Sequence, residues 1–268
     1  MSALRELARR EPLLFRVGAG FWLLSIVLLA GVFVDSAEIL GVNRWIKPLK
    51  FSLSIAIFIW TMAWFLQYLD RSIRTLPVIR WGIVSTQVVE IVLIAGQSAR
   101  GVPSHFNAAT PFDLAVFNTM GLAILANSIV CAWAFVVYLK RPPELPASYL
   151  WGIRCGLAMF LLGSAAGVVL VANNAHTVGL PDGGAGLPFL NWSTLGGDLR
   201  IAHFVGLHGT QAMAIAGYAF ARIRMPRGEW LVIGFTLAWA FLTLALLFMA
   251  LAGRPLFIAP LTEVPTIR

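Results

Sequence analysis

Asn191–Gln211 reads NWSTLGGDLRIAHFVGLHGTQ. It starts as a polar, glycine-rich loop and runs into an apolar segment that reaches Ile223. On the way it sets Asp198, Arg200, His203, His208 and Gln211 within or beside a segment of membrane-spanning length. Ionisable groups at such depth are costly, so they imply partners or a function. The rest of the chain reads as the bundle that surrounds this stretch.

Composition supports a membrane setting. The 268 residues are 59% hydrophobic and 12% charged, whereas a soluble domain carries about 25% charged residues. Apolar runs separated by short charged links predict an all-α polytopic membrane helical bundle. Seven transmembrane helices are expected: Val17–Val34, Leu49–Leu69, Trp81–Ala99, Leu114–Leu139, Leu150–Ala172, Leu199–Ile223 and Trp230–Ala252. Residues 1–268 then form a single integral membrane domain. The longest link, residues 174–198, is an exoplasmic loop whose Leu180, Leu187, Phe189, Leu190 and Trp192 suit a lid over the bundle mouth.

The larger share of the basic residues lies on one side: Arg5, Arg9, Arg10, Arg16, Arg71, Arg74, Arg80, Lys140, Arg141, Arg154, Arg222, Arg224 and Arg227. The positive-inside bias makes that side cytoplasmic, with the N-terminus inside and the C-terminus exoplasmic. The same bias accounts for the net charge of +8 without nucleic acid as a partner; the lipid bilayer is the partner composition demands. Arg44, Lys47, Lys50, Arg100, Arg200, Arg254 and Arg268 lie on the other side and need a separate reason. Cys131 and Cys155 both fall in apolar segments, so no disulfide framework is implied.

Spacing along the helices places the candidate site. At ~1.5 Å per residue, His203 lies about 5 Å below Arg200, His208 about 12 Å and Gln211 about 16 Å. These four fall within an arc of about 140° and are expected on one interior face. Glu90 lies about 15 Å below Arg100 on a helix running the other way, near the depth of His208. Glu90 and His208 are thus expected to pair as acid–base groups or ligands. Lys47, Lys50, Arg100 and Arg200, at helix N-termini or beside them, would hold an anionic group. Gln97, Asn118, Asp198 and Gln211 would line the same pocket. His105, His203 and His208, with Glu90, are residue types that bind a metal ion, and histidine is also the axial ligand of haem b. No HExxH signature is present, and the five-residue spacing of His203 and His208 departs from the i,i+4 stacking of two ligands.

The blocks RWIKPLKF, GQSARGVPSHFN and NWSTLGGDLRIAHFVGLHGTQ resemble stretches of uncharacterised bacterial polytopic inner-membrane proteins. Those blocks cover 41 of the 268 residues. The resemblance implies a bacterial inner (plasma) membrane location, multi-pass, and carries no activity with it. The seven-span zinc hydrolases of the ceramidase and progestin-receptor type are similar in helix count, but their His-x3-His pair near the last helix is missing here. Microbial rhodopsins need a lysine deep in the seventh span, which is also missing. The sequence therefore points to an outer-half, His-rich pocket for a small or lipid-like anionic ligand, with metal- or haem-dependent redox or hydrolytic chemistry as one use. A proton-coupled transporter relying on Glu90 and His208, or an accessory subunit of a membrane complex, is the alternative.

Overall fold

The computed structural model describes residues 3–258; Arg268 lies outside them. A short amphipathic helix, α1 (Ala3–Arg10), precedes seven long ones: α2 (Pro12–Val34), α3 (Ile46–Leu66), α4 (Leu76–Ala99), α5 (Pro111–Lys140), α6 (Ala147–Asn173), α7 (Leu199–Arg222) and α8 (Gly228–Leu251). Two small antiparallel ladders occupy the loops, β1 (Glu38–Ile39) with β2 (Val42–Asn43) and β3 (Thr177–Val178) with β4 (Gly197–Asp198). Six helices, α2 to α6 and α8, are long and apolar enough to cross a membrane, which suggests a multi-pass membrane protein. α7 matches them in length. It is not among the six, because Arg200, His203, His208 and Gln211 interrupt its apolar run.

Local chemistry sets the helix ends. Pro12 and Pro111 sit in first turns, where a missing N–H costs nothing. Thr110 caps α5 by accepting from the Asp113 N–H at 3.1 Å, and Asp198 caps α7 by accepting from the Arg200 N–H at 3.0 Å. α6 ends on Asn174 in the left-handed region, φ 52°. At the end carrying the N-terminus, the buried Glu11 carboxylate takes Arg80 Nε at 2.7 Å and ties the start of α2 to α4.

Packing divides α7 into two unlike faces. Against α6 the contact is glycine-tight. A Cβ added to Gly163 would meet Leu207 N at 2.4 Å, and one added to Gly152 would meet Met213 O at 2.7 Å. Small residues let helix backbones approach this closely in membranes, where van der Waals contact replaces the hydrophobic effect as the driving force. Toward α3 the same helix is loosely covered: Ile215 and Tyr218 are 67% and 51% exposed. The main core lies elsewhere, around α3, where Ile55, Ala56, Ile59, Met62 and Ala63 are buried among residues of α2, α4, α5 and α6.

Candidate functional site

The loops opposite the N-terminal end converge on the first two turns of α3. The 174–198 loop is a fastened hairpin. Besides the β3–β4 ladder it has a Gly186–Ser193 bridge, and the Asp182 carboxylate accepts from the backbone N–H groups of His176 and Thr177 at 3.1 and 3.0 Å and from His176 Nδ1 at 2.6 Å. Burial alone would raise the Asp182 carboxyl. These hydrogen bonds together outweigh it and hold the group below its usual range. The loop also packs Trp192 on Phe204 of α7, ring centroids 5.6 Å apart, and His176 on Phe106, 4.9 Å apart.

Two cations hold the tip of this hairpin through its carbonyl groups. Lys50 Nζ donates to Leu190 O at 2.9 Å, and Arg200 donates to Asn191 O. Phe189 and Asn191 adopt φ 65° and 54°, a conformation that a bulky residue such as Phe takes only under constraint. The Phe189 ring lies 5.9 Å from Lys50 Nζ.

Beneath the tip lies a buried acid. Glu90 on α4 is 2% exposed, and its Oε1 is 3.7 Å from His105 Nε2. Its Oε2 has no hydrogen-bond partner. Lys47 Nζ approaches His105 Nδ1 at 3.3 Å, and Ser104 Oγ approaches it at 3.1 Å. A Lys47 ammonium donating to Nδ1 would leave the ring proton on Nε2, facing Glu90. Burial first, then the positive charge of Lys47, pulls the His105 pKa well below its ordinary value. His176 is lowered too, mainly by burial and against the opposing pull of Asp182.

The expected partner of Glu90 was His208; the structure puts His105 there instead, and no ion pair joins Glu90 to His208. The His208 ring packs on Phe204, centroids 4.0 Å apart. His203 does not share the interior face with Arg200, His208 and Gln211. Its Nδ1 meets Gly163 O at 2.8 Å and its ring fills the space left by Gly167, so it belongs to the α6–α7 seam. An offset of five residues turns it about 140° from His208. A metal site of His105, His203 and His208 is therefore not formed. Among the described residues no group of three or more His, Cys, Asp or Glu is placed to hold a metal ion.

The charged and polar residues of the mouth sort into matched and unmatched. Arg44 is matched with Asp35, its Nε 2.6 Å from Oδ2. Arg100 lies 2.6 Å from Asp113 Oδ1, which also accepts from Gln97 Nε2 at 2.9 Å. Arg100 and Gln97 are thus committed to joining α4 to the start of α5. Arg200 is matched with Asp198, whose Oδ2 also takes the Ser193 N–H at 2.7 Å. Asn118 is exposed on α5 and does not line the cluster. Lys47 and Lys50 have no carboxylate within ion-pair distance among the described residues; their partners are an imidazole nitrogen and a carbonyl.

Gln211 lies further along α7 and donates to Thr61 Oγ1 of α3 at 3.2 Å, while its Oε1 has no partner. It borders a cavity of about 430 Å³ between α3 and α7, walled also by Trp22, Trp60, Trp64 and Tyr149. Neither this cavity nor the His176–Asp182 clamp was readable from spacing, because each depends on loops or helices meeting across long sequence separations. No family model, curated protein or solved structure matches the chain.

Proposed function

We propose that the chain is a seven-helix protein of a bacterial inner membrane, of the kind the three quoted blocks resemble, and that it binds a small or lipid-like anionic ligand at the mouth of the bundle. In this reading α7 is the seventh span, shielded by α6 and α8. The basic links place the N-terminus in the cytoplasm and the mouth on the exoplasmic side.

One observation carries the reading. Three arginines near the mouth each have an aspartate, and the two lysines do not. Lys47 and Lys50 stand one turn apart on α3, under a hairpin tip that offers them nothing more than a carbonyl. A carboxylate or phosphate oxygen is a stronger acceptor for an ammonium than a neutral carbonyl. An incoming anion would displace Leu190 O from Lys50 and release the strained tip at Phe189 and Asn191, so the 174–198 hairpin serves as a lid. His105, directed by Lys47, would stand beside the bound anion with Glu90 behind it.

Thermal unfolding of the detergent-purified protein in rising inorganic phosphate, at constant ionic strength, tests this. Stabilisation that saturates with phosphate and disappears in the Lys47→Gln/Lys50→Gln double variant is the expected result. Equal stabilisation in the double variant removes the site.

A second reading rests on the free Glu90 oxygen. Glu90, His105 and Lys47 form a chain of proton-bearing groups leading from a buried position to the mouth, which suits proton-coupled transport. Flux in proteoliposomes that is abolished by Glu90→Gln and by His105→Gln would support it.

A further inference from the structure

The two lysines open a longer feature. On α3, Lys47, Lys50, Ser54, Ile57, Thr61 and Trp64 follow a 3–4 spacing and form one stripe. On α7, Phe204, His208, Gln211, Ile215 and Tyr218 do the same. The stripes face each other: Gln211 donates to Thr61, and Ile57 and Trp64 share the 430 Å³ cavity with Ile215 and Tyr218. Lys50 and Arg200, at the heads of α3 and α7, both donate to the hairpin tip, at Leu190 O and Asn191 O.

Facing stripes of this spacing ordinarily close into a helix–helix seam. Here they do not, because the residues on both sides stay partly exposed, Ile57 at 38% and Ile215 at 67%. Among the described residues, two of the three buried polar atoms without a partner, Trp22 Nε1 and Gln211 Oε1, belong to side chains of the cavity wall. From Lys50 to Trp64 the α3 stripe is about 21 Å long. It runs from two unmatched cations to a slot of Trp22, Trp60, Trp64 and Tyr218.

The geometry points to a long-chain anionic amphiphile as the ligand: its acid group on Lys47 and Lys50, its chain along the α3–α7 cleft into the tryptophan slot, and its access sideways from the bilayer. This rests on the anion site proposed above and names its ligand class. A small anion would use only the mouth. The apolar slot begins at Ile57, two turns along the same α3 stripe from Lys50, and is what a chain attached to that anion requires.

Bromine quenches tryptophan fluorescence on contact, and Trp60 and Trp64 border the slot, so brominated octadecanoate added to the detergent-purified full chain reports the chain's position. Saturable quenching is expected, with apparent affinity about tenfold or more weaker in Lys47→Gln/Lys50→Gln, the loss of a charge-assisted contact. Trp60→Phe/Trp64→Phe should remove most of the quenching, and Ala214→Phe, which fills the slot, should weaken octadecanoate but leave phosphate stabilisation intact. Equal quenching by a neutral brominated detergent, insensitive to the lysines, would show ordinary bilayer-type contact and overturn the proposal. Phosphate stabilisation without saturable quenching would overturn the amphiphile while the mouth site stands. Absence of both would remove the two together.

Discussion

The two faces of α7 are packed in opposite ways. One face meets α6 through Gly152, Gly156 and Gly163, so closely that an added methyl would strike backbone. The other faces α3 across a cleft, touches it through the Gln211–Thr61 hydrogen bond, and keeps Ile215 and Tyr218 exposed. Polar residues divide accordingly. His203 is used up in the seam, bonded to Gly163 O. His208 and Gln211 remain on the cleft. A polar residue in a long helix is thus a clue to function only after the face it occupies is known.

The largest expected effect breaks the tight face. Gly163→Leu should cost about 3 kcal/mol or more, since no rotamer avoids the α7 backbone, and detergent-purified protein should show a much lower unfolding temperature. At the mouth, Arg100→Ala leaves the Asp113 carboxylate buried without its cation. Arg100 is itself 43% exposed, so solvent screening keeps the loss well below that of Gly163→Leu. Lys47→Gln removes a cation that no carboxylate matches and should leave the unfolding temperature unchanged or raise it. The contrast separates structural from ligand-facing charges.

A smaller effect depends on pH. His105 and His176 both have folded pKa values held below the ordinary 6.5. The unfolded chain therefore binds more protons below that value, and stability falls as pH drops from about 6.5 toward the folded values, by at most about 1.4 kcal/mol per pH unit for each histidine. Above pH 7 the histidines contribute no slope. The lowered Asp182 carboxyl adds a loss only nearer its ordinary 3.8. Unfolding temperature followed from pH 7.5 to 5 should decline, and His105→Gln should flatten the decline. The smallest effect concerns the cleft: Ile215→Ala should change stability by about 0.5 kcal/mol or less, as at any position with few protein contacts.

Much of the fold was legible because hydropathy acts locally. All seven expected segments fall on long helices, though some helices start up to five residues earlier, as at Pro12 in place of Val17 and Pro111 in place of Leu114. Partners were not. His105 lies in a loop whose path no periodicity describes, yet it reaches Glu90 where His208 was expected. Arg100 and Gln97 looked like ligand groups until the start of α5 brought Asp113 to them. Matching of charges depends on which helix ends meet, and glycine patterns indicate close approach without naming the neighbour. The metal triad failed for the same reason: three histidines at suitable depths faced different surfaces.

A ligand path between α3 and α7 requires α7 to have one shut face and one open face. Single cysteines at 203 and 210, on the seam, and at 208 and 211, on the cleft, can be placed in a background with Cys131 and Cys155 replaced by serine. Their rates of alkylation by a small thiol reagent can then be measured in detergent and in vesicles. His208→Cys and Gln211→Cys should react readily and be slowed by octadecanoate, while His203→Cys and Thr210→Cys stay protected. Equal protection at all four positions would show the cleft to be closed and would contradict a ligand path along it.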